Sequence, residues 1–107
     1  MSTHHPDKWE IVKYKSEEGT WYKVLGGWSG GYLDGDSWRL SSGIISITIE
    51  GKYYMITNES GSIYKCHKEG RGMTHLMGSM YSTIKEYAEK SKIVVSTIDV
   101  KDFLESK

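Results

Sequence analysis

Between Tyr64 and His75 the chain reads YKCHKEGRGMTH, which sets Lys65, His67, Lys68, Arg71 and His75 against a single acid, Glu69. A histidine, a glutamate and an arginine within five residues are the base, acid and phosphate stabiliser that a small metal-independent ribonuclease needs. Nucleases of that kind carry a basic surface, whereas this chain balances 14 Lys and Arg against 14 Asp and Glu. Adjacency in sequence also does not place side chains on one face, and a local anion-binding patch asks less of the geometry. Cys66, His67 and His75 are too few and too oddly spaced for zinc, even with His4 and His5. No metal or cofactor is expected. Cys66 alternates with Tyr64 along a strand-like run, as a buried, unreactive thiol would.

A second stretch, GGWSGGYLDGDSW (26–38), holds five glycines, two tryptophans and two aspartates in thirteen positions. It is not a phosphate loop of the G-x-x-x-x-G-K-[ST] kind: no lysine comes after the glycines, and the next segment is strand-like rather than helical. Asp34 and Asp36 begin like a calcium loop, but Trp38 takes the next ligand position and no terminal glutamate is present. In an extended segment the two carboxylates would stand about 7 Å apart on one face. That separation occurs in glycosidases, but aspartates in a turn more commonly shape the turn. Ligand capture is the other functional reading. Trp21, Trp28 and Trp38 offer faces for stacking, Arg39 a forked donor for phosphate, Ser29, Ser37, Ser41 and Ser42 hydroxyls, and the glycines close backbone approach. Set beside it is a structural reading in which the tryptophans fill a small core and the glycines make bulges in a twisted sheet.

The elements that must position these groups are legible from period and punctuation. WEIVKYK (9–15) and TWYKVL (20–25) are β-branched and aromatic runs joined by Ser16-Glu17-Glu18-Gly19. SWRLSSGIISITIE (37–50), KYYMIT (52–57) and SIYKCHK (62–68) come next, broken at Glu50-Gly51 and Asn58-Glu59-Ser60-Gly61, where hairpin turns fit. The period then changes. Met73, Leu76, Met77, Met80, Ile84, Tyr87 and Ala88 recur at helical spacing, with Gly78 off the stripe. IVVSTI (93–98) reads as a strand, and Asp99 fits the N-cap of a terminal helical turn. The expected fold is α+β: a mainly antiparallel, twisted sheet of five to six strands against one long helix, with a short C-terminal helix. Residues 1–8 are expected as a flexible arm and 9–107 as a single domain. Tyr14, Tyr22, Tyr32, Tyr53 and Tyr54 exceed what one helix covers, which points to a homo-oligomer whose second copy covers the other face.

At 107 residues the chain suits one domain, and thirteen aromatics supply its packing surface. Neutral overall charge argues against a nucleic-acid polymer as partner. No apolar run reaches the roughly 18 to 20 residues that span a bilayer, and MSTHHPDKWE carries no apolar leader, so a cytoplasmic protein without membrane attachment is expected. The single cysteine agrees with a reducing compartment. Through GYLDGDSWRLSSGI and NESGSIYKCHKEGRGMT the chain resembles, in general style, small accessory proteins of bacteriophages. That resemblance implies a protein of the host cytoplasm that counters host defence, either by inhibiting a host enzyme or by sequestering a nucleotide signal.

These readings converge on a non-catalytic binding protein for a small phosphate-bearing, nucleotide-like ligand. Trp28 and Trp38 would stack on a base, Arg39 with Lys65 or Arg71 would meet phosphate, and Ser41 or Ser62 would fix oxygens. The rivals are an inhibitor that docks on a host enzyme through aromatic side chains, and the small ribonuclease.

Overall fold

Ile11 and Val12 are adjacent in the chain and both fully buried, as are Val24 and Leu25. Successive side chains of a strand face opposite ways, so strands with such pairs are covered on both faces. The structure, a computed structural model, describes residues 2–31 and 35–106. Its strands are β1 (Thr3–His4), β2 (Lys8–Ser16), β3 (Gly19–Gly31), β4 (Gly35–Leu40), β5 (Ile44–Glu50), β6 (Tyr53–Asn58), β7 (Ile63–His67) and β8 (Val94–Ile98). One 3₁₀ turn (Lys68–Gly70) and two helices, α1 (His75–Lys90) and α2 (Val100–Glu105), complete it.

The fold class is α+β, but the strands form two sheets rather than one. They are ordered β1-β7-β6-β5 and β4-β3-β2-β8, all antiparallel except for the β1–β7 pair. Eight strands replace the five to six expected, and α1, at 16 residues, is a main helix but not a long one. The segment 37–50, read as one extended run, is cut at Ser41-Ser42-Gly43, where the chain leaves one sheet for the other.

The β4-β3-β2-β8 sheet is the central layer. Trp9, Ile11 and Val24 on one face pack with Ile47, Ile56, Tyr64 and Cys66 of the second sheet and with Val100 and Phe103 of α2. Val12, Tyr14 and Leu25 on the other face pack with Met77 and Ala88 of α1 and Val95 of β8. The aromatic surplus that suggested a second copy is partly absorbed here, because Tyr22 and Tyr54 pack in the core between the sheets and Tyr14 in the core beside α1. Of the other tyrosines counted in it, Tyr32 lies outside the described residues.

Local chemistry sets the element ends. Thr74 caps α1, accepting from Met77 N at 3.2 Å, while Met77 Sδ accepts from Thr74 N at 3.4 Å. Asp99 caps α2 through Asp102 N at 3.0 Å, as its sequence position suggested. Gly51 holds a φ of 60° in the two-residue turn between β5 and β6.

The described parts of the glycine-rich stretch are strand. Gly26 to Gly31 belong to β3 and Gly35 to Trp38 to β4, with a register shift between Trp28 and Gly31. Two of its glycines mark close approach. A Cβ on Gly26 would lie 3.1 Å from Pro6 Cβ, and one on Gly27 would lie 2.6 Å from Met77 Cγ. The N-terminal segment therefore presses on one face of the hairpin and α1 on the other.

That segment is not a loose arm. Ile63 N donates to Ser2 O, Trp28 Nε1 to His5 O and Asp7 N to Gly27 O, each at 2.9 Å, and Pro6 is buried. Its strand is two residues long, too short for any periodic signal, which is why its polar composition misled.

Candidate functional site

Four segments meet at a cleft of about 470 Å³: the N-terminal strand, the end of β4, the crossover after it, and the β6–β7 turn. That volume falls in the range small-ligand sites occupy. Arg39 stands at its side, and the hydroxyls of Ser42, Ser60 and Ser62 line it together with His4 and Tyr64. A wider hollow of about 690 Å³ meets it at Ser42, but Lys23 and Glu59 give that one charges of both signs.

Of the residues singled out from sequence, Arg39, Ser41 and Ser62 come together here. Their roles differ. Ser41 Oγ accepts from Val24 N at 2.8 Å and donates to Ser42 O at 2.7 Å, and the residue is buried. This hydroxyl ties β3 to the crossover and has no proton left for a ligand. Ser62 is held from behind: Asn58 Nδ2 donates to its Oγ at 3.3 Å and to its carbonyl at 3.2 Å. Asn58 is fully buried, and its Oδ1 has no partner among the described residues.

The other four lie elsewhere. Trp38 faces Gly27 in the register while Arg39 faces Gly26, so the two side chains project from opposite faces of the sheet. Trp38, 38% exposed, is therefore on the α1 side and does not share a ligand with Arg39. Trp28 is on the cleft's side of the sheet, but it packs against the core and its indole N–H is spent on His5 O. Lys65 alternates with the inward Tyr64 and Cys66 and so faces outward, its Nζ 4.6 Å from the Tyr53 ring centroid. Arg71 Nε donates to Glu10 Oε1 at 2.8 Å, which commits its charge. The stack-and-clamp arrangement expected from sequence is thus reduced to Arg39 and Ser62.

The ribonuclease constellation is dispersed as well. His67 Nδ1 accepts from Glu69 N at 3.0 Å as a cap of the 3₁₀ turn, and its ring meets Tyr53 edge-on at 5.2 Å. With Arg71 paired to Glu10 and His75 opening α1, the expected groups show no shared centre. Asp34 lies outside the described residues. Among the described residues, no three His, Cys, Asp or Glu side chains are grouped to hold a metal ion.

Sequence reasoning named Ser42 among the candidate hydroxyls but gave no binding role here to His4, Tyr64 or Ser60. His4 lies between two rings, 4.9 Å from Tyr64 and 6.4 Å from Trp28 by centroid. Loss of solvent, then the charges of Arg39 and His5, hold its pKa below the ordinary histidine value. Burial pushes the Tyr64 phenol up to about 12 against the opposing pull of Arg39, so it stays a neutral donor at physiological pH. Cys66 is inert as expected: it is fully buried, and burial alone pushes its thiol to about 12.

No helix among the described residues is long and apolar enough to cross a membrane. No known protein family, curated protein or solved structure matches the chain, so the functional reading rests on the cleft itself.

Proposed function

We propose that this protein is a non-catalytic binder that captures a small phosphate-bearing, nucleotide-like ligand in the cleft beside Arg39. The observation that carries this reading is Arg39 itself. It lines the same cleft as Ser42, Ser60 and Ser62, and among the described residues no carboxylate pairs with it. A forked cation beside neutral donors suits the tetrahedral oxygens of a phosphate group. The aromatic contact passes from Trp28 and Trp38 to His4, whose ring lies at the same cleft against that of the buried Tyr64. A sequestering role, the one suggested by the likeness to phage accessory proteins, needs no more machinery than this.

The test is thermal unfolding against a panel of mono-, di- and cyclic nucleotides. Ligand at about 100 times its dissociation constant adds about 2.7 kcal/mol to stability. One class of nucleotide is expected to raise the melting temperature of the native chain, and Arg39→Gln is expected to lose the shift while its own melting temperature stays close to the parent's. A flat panel overturns the reading. A second reading, docking on an enzyme, draws on Tyr87 and Val94, which are 69% and 66% exposed. A stable complex with one purified enzyme, formed without any nucleotide shift, would select it.

A further inference from the structure

The hydroxyls at the cleft form a hydrogen-bonded chain. Ser60 N donates to Ser42 Oγ at 3.1 Å, Ser42 Oγ donates to Ser60 Oγ at 3.1 Å, and Ser60 Oγ meets Ser62 Oγ at 3.1 Å. Asn58 Nδ2 donates into the Ser62 end. Three hydroxyls carry three protons, but only two oxygen-to-oxygen links join them. Whichever way the Ser60–Ser62 proton lies, one proton of that pair has no acceptor within the chain. Both residues line the cleft, so the surplus donor is available there. Each hydrogen bond donated into the chain also polarises the next, which strengthens that terminal donor.

The charge at the cleft is equally restricted. Among the described lining residues Arg39 is the one fixed cation, and no lysine or carboxylate joins it. His4, with its pKa held down by burial and by Arg39, adds little positive charge at neutral pH, and Tyr64 stays a neutral phenol. A site with one positive charge and several neutral donors compensates one negative charge. Further charges would meet no second fixed cation among the described lining residues.

We infer that the cleft selects a phosphodiester, the phosphate group with a single negative charge, held between the Arg39 guanidinium and the surplus hydroxyl proton of Ser60 and Ser62. This rests on the proposed phosphate-binding function and narrows it. A phosphomonoester or a triphosphate presents the same oxygens with more charge than the cleft balances. The two non-bridging oxygens of a diester match the Arg39 fork, and their spare lone pairs accept from the serine donor. Ser42 and Asn58 are positioning residues, holding the Ser60 and Ser62 hydroxyls from behind.

The experiment is calorimetric titration of the full chain at pH 7.5 with three probes that share one base and differ in charge: 3′,5′-cyclic AMP, AMP and ATP. Cyclic AMP is expected to bind at least tenfold more tightly than AMP, and ATP most weakly of the three. Ser62→Ala is expected to weaken cyclic AMP binding several-fold. Ser42→Ala, which removes the donor to Ser60 Oγ, is expected to do so to a smaller degree. Affinity that rises from cyclic AMP to ATP would overturn the diester assignment and leave the phosphate-binding function standing. An unchanged affinity in both serine variants would remove the hydroxyl chain from the site. Failure of all three probes would sink the inference, and a flat nucleotide panel beside it would sink the function as well.

Discussion

A methyl group at position 27 would fall 2.6 Å from Met77 Cγ, inside any ordinary contact distance, and Met77 is fully buried. The glycine is required because β3 there lies directly under the first turn of α1. Gly27→Ala is therefore expected to destabilise the fold by about 1 to 3 kcal/mol, the usual cost of overpacking a filled core. Urea unfolding of the single variants and of Gly27→Ala with Met77→Ala checks the cause. If the clash with Met77 is responsible, the alanine at 27 costs much less once the methionine is truncated, and additive losses would refute it. The same residue-scale view explains why Arg39 and Trp38 never cooperate: in a strand, neighbours in sequence are strangers in space.

At the level of elements, the C-terminus of α1 is closed by Lys92 N donating to Glu89 O at 3.1 Å and Ile93 N to Ala88 O at 2.8 Å, with Lys92 at a φ of 59°. This is the double bond pattern of a Schellman cap, whose left-handed position glycine fills without strain. Lys92→Gly should accordingly raise stability by about 0.5 to 1 kcal/mol. Gly78, with open space where its Cβ would stand, should gain a similar amount as Gly78→Ala. Chemical denaturation reads both, and a loss of stability in either variant would contradict the cap or the open helix face. Much at this scale was legible in the sequence, because it is local: the Gly51 and Gly61 turns, the Asp99 cap and the α1 stripe, from which Tyr87 departs by facing solvent and Met73 by preceding the helix. The partition into two sheets was not, since Ser41-Ser42-Gly43 looks like any polar break, and only packing decides which sheet the next strand joins. Of the site, Arg39 and Ser62 were recognisable by type. Lys65 could have been rejected on strand parity alone, whereas nothing periodic marks His4.

His4 reports on the assembly of the whole molecule, because the groups around it come from separate elements: Trp28 from β3, Arg39 from β4 and Tyr64 from β7, besides Ser2 and His5 of its own segment. Its pKa in the folded protein is lowered, first by desolvation, then by Arg39 and His5. As pH falls through the unfolded value of about 6.5, the unfolded chain takes up this proton before the folded one does. Stability contributed by neutral His4 is thus full above that pH. It declines as pH drops toward the lowered folded value, below which the loss stops growing. Urea midpoints between pH 5 and 8 should show this decline in the native chain and a shallower one in His4→Gln, which keeps a polar side chain that does not titrate. Identical slopes would mean that the N-terminal strand does not seat His4 against Arg39 in solution. Because an anion held beside Arg39 would offset the like-charge penalty, a bound phosphodiester should flatten the same acid limb in the native chain and leave His4→Gln unaltered in slope. The pH profile thereby links the seating of the first strand to occupation of the cleft.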